Sequence, residues 1–187
     1  MAQKRKNWNG LMSGFKVSDL VFLDESGCNT DMTRRYAYSL GGSRAVDSAP
    51  LSKPKNTTIL SSIQLDGTLH YTTFSGGTTV ERFKRYLETD LLPHLNGNSV
   101  LIMDNMKSHH AKAVKNLLDS SGIRYIYLPP YSPDLNPIEK LWSKVKSFLR
   151  KFKARTLDAL PNAIQNAFHS VTVSDCSGWF RFCGYAL

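Results

Sequence analysis

Two six-residue stretches decide the fold: Asp19–Asp24, DLVFLD, and Ser99–Asp104, SVLIMD. Each holds four apolar residues in a row and ends in an aspartate. A short, continuously apolar run without helical spacing reads as a buried strand. An acid closing such a strand sits at the carboxyl edge of the sheet, where open α/β folds build their sites. Asp24 and Asp104 therefore lie side by side if their two strands are neighbours.

Working outward, Thr57–Gln64 and Leu69–Phe74 are β-rich runs joined at Asp66-Gly67, a strong hairpin signal. Arg35–Leu40 reads as a further strand closed by Gly41 and Gly42, and Arg124–Leu128 as another. Thr78 or Thr79 caps a helix to about Leu92, with Val80, Phe83, Leu87 and Leu91 on one face and Pro93 ending it. A second helix spans about Ser108–Ser120, with Gly122 beyond it. After PPYSPDLNP, Asn136 is placed as N-cap and Pro137 at the first position of a helix. Ile138, Leu141, Trp142, Val145, Phe148 and Leu149 form that helix's apolar stripe. A last helix, about Leu157–His169, precedes a tail. Residues 1–18, with Lys4, Arg5 and Lys6, read as a loose basic N-terminal arm. The fold class is mixed α/β, a central β-sheet flanked by α-helices.

Composition narrows the function. The 187 residues are 41% apolar and 21% charged, enough to bury a core and unlike a disordered or fibrous chain. No apolar run approaches the roughly 18 to 20 residues of a membrane helix. The basic start has no apolar stretch after it, so it is not a secretory signal. Twenty-four Lys and Arg against fifteen Asp and Glu give +9, which points to a polyanionic partner. Cys28, Cys176 and Cys183 match neither a disulfide framework nor a zinc pattern and read as small buried hydrophobes of a reducing, cytoplasmic setting.

The third acid of interest is Glu139, in the first turn of the helix after the proline-rich loop. Carboxylates gathered within a few ångströms repel, and one takes a proton unless a cation compensates. Hard oxygen ligands without a Cys or His pattern favour Mg²⁺ or Mn²⁺ over zinc. Two such ions can activate a water or hydroxyl and stabilise the leaving oxygen of a phosphodiester. The plain reading is that a strand-end Asp serves a turn and a first-turn Glu complements the helix dipole. Spacing alone leaves both readings open.

At these same residues the sequence resembles a known family. FLDESG at Phe22–Gly27, IMDN at Ile102–Asn105 and LPPYSPDLNPIEKLW at Leu128–Trp142 resemble the catalytic motifs of mariner-like DDE transposases, and in particular the bacterial insertion-sequence branch. The 34 residues between Asp104 and Glu139 match that group's spacing. RRYAYSLGGSR, Arg34–Arg44, and WFRFCGY, Trp179–Tyr185, resemble its basic segment and its C-terminus. The resemblance implies that residues 19–187 form an RNase H-like DDE catalytic domain, with Asp24, Asp104 and Glu139 as the catalytic triad holding two Mg²⁺ or Mn²⁺ ions. It implies DNA strand cleavage by water, then strand transfer by the freed 3′-hydroxyl, on double-stranded transposon ends and target, by a homo-oligomer associated with the nucleoid. Family members carry helix-turn-helix modules ahead of this domain. Fewer than twenty residues precede the first strand here, so the expectation is a second reading frame joined to an upstream helix-turn-helix polypeptide, or a catalytic fragment.

Seven basic residues and no acid fall between Lys140 and Arg155. Of these, Lys140, Lys144, Lys146, Arg150, Lys151 and Lys153 are candidate DNA-backbone contacts, because a solvated helix face mixes both signs. Arg34, Arg35 and Arg44 are weaker candidates. His109 and His110 read as solvated or capping residues, with contact to DNA or a place near the metals as the alternative for one of them, and Trp142 as core. Glu25, adjacent to Asp24 on a strand, points to the other face and stays outside the triad. Two other readings remain: an RNase H-like endonuclease without strand transfer, and a truncated or domesticated DNA-binding protein. A membrane-surface role is the weakest, since the basic helix lies inside a folded domain.

Overall fold

The computed structural model describes residues 2–34, 36–51 and 54–185. Among the described residues, five strands form one sheet: β1 (Leu20–Cys28), β2 (Thr57–Ile63), β3 (Leu69–Ser75), β4 (Val100–Met103) and β5 (Arg124–Tyr127), in the order β3-β2-β1-β4-β5. β1, β2 and β3 pair antiparallel, while β1, β4 and β5 run parallel. The described residues also form the α-helices α1 (Ala2–Met12), α2 (Val80–Tyr86), α3 (Lys112–Ser121), α4 (Ile138–Phe152), α5 (Ala159–His169) and α6 (Val173–Phe182).

The unbroken apolar runs of β1 and β4 follow from burial on both faces. Leu20 and Phe22 of β1, with Ile59, Ile63, Val100 and Ile102, pack on one face against α1, α4, α5 and α6. Val21 and Leu23, with Leu60, Leu101 and Met103, pack on the other against α2 and α3. The hairpin turns at Asp66-Gly67 as expected. Gly67 has φ 89°, and the Asp66 side chain accepts from the Thr68 amide at 2.9 Å. The three cysteines are free and buried, and burial pushes each thiol up to about 11.

Several local expectations are corrected. β1 does not stop at Asp24 but continues to Cys28, because β2 pairs with it over that whole length. The described part of Arg35–Leu40 forms no ladder: Tyr36 and Tyr38 alternate like strand residues but stand fully exposed with no strand to receive them. Ile138, not Pro137, opens α4, with Pro137 at the N-cap position and no side-chain cap. The second helix starts at Lys112, leaving 107–110 as turns. α2 passes into a π-helical turn at Leu87–Leu91 that keeps Phe83, Leu87 and Leu91 buried. The tail holds α6, whose Thr172 and Asp175 form a reciprocal capping box. The loose arm gives way to α1, and Trp8 and Met12 enter the core.

Candidate active site

In the parallel pairing of β1 with β4, Leu23 lies opposite Met103. β4 ends there while β1 runs on, so Asp24 and Asp104 are the next residues on adjacent strands. The chain then supplies the third acid. β5 leads into the proline-rich loop, whose Leu128 amide donates to the Met103 carbonyl at 2.8 Å. The Asn105 side chain donates to the Leu128 carbonyl at 2.6 Å, tying the turn after Asp104 to this loop. A 3₁₀ turn at Pro133–Leu135 redirects the chain, and the Glu139 amide donates to the Asn136 carbonyl at 3.1 Å as α4 begins. Asp24, Asp104, Glu139 and Asn136 thus line one cleft of about 470 Å³. The buried Oδ1 of Asn136 has no hydrogen-bond partner there.

Each acid has its own electrostatics. Burial raises the Asp24 pKa, the Glu25 amide at 2.8 Å opposes this, and the charges of Glu25, Glu139 and Asp104 raise it further, to about 7. The Trp142 indole donates to Asp24 Oδ2 at 3.2 Å, so this core residue of the apolar stripe also orients an acid. Asp104 behaves oppositely. Burial raises it, but hydrogen bonds from His109 and the Met106 amide outweigh burial and hold it below the usual carboxylate range. Glu139 is exposed at the start of α4.

His109, which the sequence placed first among solvated or capping residues, is instead brought to the site. It is fully buried, with Nδ1 2.9 Å from Asp104 Oδ1 and Nε2 3.2 Å from Glu25 Oε1. Burial disfavours its charge, yet the bonds and charges of the two acids prevail and push it up to about 9. No periodicity marks it, because it lies in the turn before α3 and its partners come from two strands. Glu25 takes the opposite sheet face from Asp24, as strand alternation requires, and meets His109 there. His110 stacks on Tyr127 at 4.1 Å.

The basic candidates divide. Arg34, Arg150, Lys151 and Lys153 share one groove, and Arg34 and Lys151 share another with Lys140 and Lys144. Lys144 also pairs with Asp175 at 2.5 Å, and Lys153 with Asp47 at 2.6 Å. The Lys140 ammonium lies 3.7 Å from the Phe182 ring centroid. The charge of Lys146 acts on the Cys28 thiol, and Lys146 lines neither of those grooves. Arg44 is exposed between β1 and β2, and Arg35 lies outside the described residues.

Residues 19–161, which carry all three acids, match the family model of DDE superfamily endonucleases. The chain belongs to this family. It is 28% identical over 97 residues to the Tc1 transposable-element transposase of Caenorhabditis elegans, a match covering 50% of this chain and 36% of that protein. The chain thus spans about a third of that relative. Among solved structures, a pre-cleavage Mos1 transpososome superposes with a TM-score of 0.81 at 18% identity, covering 97% of this chain and 58% of the other. A Mos1 mariner paired-end complex with Mn gives 0.80 at 20% identity, over 95% and 57%. The fold of this DDE family member is RNase H-like.

Proposed function

We propose that this chain is the catalytic part of a DNA transposase, with residues 19–187 as the catalytic unit and residues 1–18 as a basic segment ahead of it. The observation that carries this is the meeting of Asp24, Asp104 and Glu139 in one cleft, with Asp24 held near pKa 7 by burial and three neighbouring carboxylates. A donor set of carboxylates, with the unpartnered Asn136 oxygen beside it, fits a hard divalent cation, Mg²⁺ or Mn²⁺. Asp24, Asp104 and Glu139 would hold it, as one ion or two. Bound there, the ion supplies the Lewis acidity that activates an attacking oxygen and stabilises a leaving one. The Mos1 complexes support the same reading at the level of the fold.

The chain's own residues do the rest. Trp142 and the Glu25 amide fix the Asp24 carboxylate, while the Met106 amide and His109 fix Asp104. Arg34, Lys140, Lys144, Arg150 and Lys151 offer a cationic track for double-stranded DNA; Arg44, Lys146 and Lys153 are secondary candidates, and Arg35 is one by its sequence alone. In the reaction, water attacks a phosphodiester at a transposon end and a 3′-hydroxyl leaves. That hydroxyl then attacks target DNA, displacing a second 3′-oxygen. The proline-rich motif and the spacing to Glu139 support the bacterial insertion-sequence branch. With it come action at the nucleoid, a homo-oligomer on DNA and an upstream helix-turn-helix polypeptide. No helix among the described residues is long and apolar enough to cross a membrane.

The test is a nicking and joining assay on linear and supercoiled DNA with Mn²⁺ or Mg²⁺. Asp24→Ala, Asp104→Ala and Glu139→Ala each abolish product while circular dichroism stays native. Retained activity in any one of them removes that residue from the site.

A further inference from the structure

An acid–histidine cluster shares Asp104 with the three-acid cleft and runs from it to the buried ring of His109. Glu25, Asp104 and His109 bring ligand-type atoms within 4.8 Å of one another. Both ring nitrogens of His109 are committed, Nδ1 to Asp104 Oδ1 at 2.9 Å and Nε2 to Glu25 Oε1 at 3.2 Å. These are hydrogen-bond separations, about 1 Å longer than metal–nitrogen bonds. The two nitrogens also face different acids, so a single ion does not replace both contacts. The ring stacks on Phe83 at 4.2 Å, and the Tyr127 hydroxyl donates to the His109 carbonyl at 3.0 Å. The imidazole is therefore held at both edges and on one face.

We propose that His109 is the positioning residue for Asp104, and that Glu25, across the sheet from Asp24, holds His109 in place. The Met106 amide, at 2.9 Å, and His109 Nδ1 both sit on Asp104 Oδ1, which leaves Oδ2 for the cleft. A carboxylate with one oxygen pinned presents the other in a single orientation, which is how outer partners tune the ligands that hold a metal. β1 thus serves the site from both faces: Asp24 directly on the α4 side, and Glu25 through His109 on the α2 and α3 side. This rests on the reading of Asp104 as a metal-holding acid.

The experiment measures Mn²⁺ affinity of the full chain by electron paramagnetic resonance, together with thermal melting. In His109→Asn the amide nitrogen falls near the Nδ1 position and keeps the bond to Asp104. In His109→Gln it falls near the Nε2 position and keeps only the bond to Glu25. Both lose the ring and its stacking on Phe83, so a purely structural role moves both alike. Expected is an Mn²⁺ affinity within about threefold of wild type for His109→Asn and a loss of at least about tenfold for His109→Gln. Equal affinities in the two variants, whether unchanged or equally weakened, overturn the proposal. Should neither variant fold, Glu25→Gln and Glu25→Ala decide. Glu25→Gln keeps the acceptor for Nε2 and shifts affinity by less than about threefold, whereas Glu25→Ala frees the ring and weakens it by about fivefold or more. Equal effects again overturn it. Asp104→Asn is the control: unchanged Mn²⁺ affinity there defeats the metal-site reading itself, and this proposal with it.

Discussion

With burial and three neighbouring acids holding Asp24 near pKa 7 against an ordinary 3.8, the metal-free fold keeps a proton that the unfolded chain has already released. Between about pH 4 and pH 7 the native state binds more protons than the unfolded one, so Asp24 lowers stability as pH rises through that window, by about 4 kcal/mol at most. His109 has its window higher. With a pKa raised to about 9, it contributes stability that is complete below about 6.5 and lost as pH climbs toward 9. In EDTA, then, Asp24→Asn should flatten the fall in melting temperature between pH 4.5 and 7 and leave the fall above pH 7 unchanged. A variant curve parallel to wild type across both windows refutes the Asp24 assignment. Added Mg²⁺ should raise the wild-type melting temperature more at pH 8 than at pH 5, because carboxylate ligands must be ionised to bind. Trp142→Phe keeps an apolar ring in the stripe but loses the 3.2 Å bond to Asp24. Single-turnover cleavage should slow by about tenfold, the cost of roughly one hydrogen bond to a charged group. A wild-type rate in a folded variant makes that bond irrelevant to the chemistry.

At the level of elements, α4 carries three jobs around its circumference: an acid at its first turn, an apolar stripe toward the sheet, and cations outward. The cations are not equivalent. Lys144 and Lys153 line the same grooves as Arg34, Arg150 and Lys151, but each is tied to an acid, Lys144 to Asp175 and Lys153 to Asp47. Neutralising Arg34, Arg150 and Lys151 together should lower the slope of log affinity against log salt for duplex DNA by about 2 to 3. Lys153→Ala should change the slope by less than about 0.5. Equal slopes for wild type and the triple variant place the DNA elsewhere. The stripe of α4 and the unbroken runs of β1 and β4 were legible in the sequence because burial writes a period or a continuous run. The Arg35–Leu40 stretch shows the limit of such patterns, since alternating tyrosines make a strand only if a neighbour offers an unpaired edge. α6 was within reach: Thr172 and Asp175 have the spacing of a capping box, masked by Ser177 and Gly178 in the helix that follows. His109 was not, because its partners lie 84 and 5 positions away and meet only through the sheet.

On the scale of the whole molecule, the face of the sheet that carries Asp24 is sealed by residues far apart in sequence. The Trp8 indole donates to the Tyr185 hydroxyl at 3.1 Å, and that hydroxyl donates to the Leu135 carbonyl at 2.6 Å, in the turn that delivers Glu139. Tyr185 also packs on Phe22 of β1, with ring centroids 5.1 Å apart. Buried residues 8, 22 and 185 and the partly buried residue 135 thus form one junction beneath the site. The sequence hid its N-terminal member because AQKRKNWNGLM offers too few apolar positions to define a helical face, and only tertiary contact fixes it. The contrast is measurable. Truncating a residue of a loose, solvated arm changes stability by less than about 0.5 kcal/mol. Removing a Trp that is 3% exposed and hydrogen-bonded should cost about 3 to 5 kcal/mol. Trp8→Ala, followed by urea denaturation, separates the two, with the midpoint falling at an unchanged m-value if Trp8 is part of the core. Tyr185→Phe keeps the ring against Phe22 and loses both hydrogen bonds, so a smaller fall of about 1 to 3 kcal/mol is expected. Because the Leu135 carbonyl loses its partner, hydrogen exchange should also quicken at the amides of residues 135, 136 and 138–140. Unchanged exchange there in the Tyr185→Phe variant would show that the junction supports the core without holding the turn that carries Glu139.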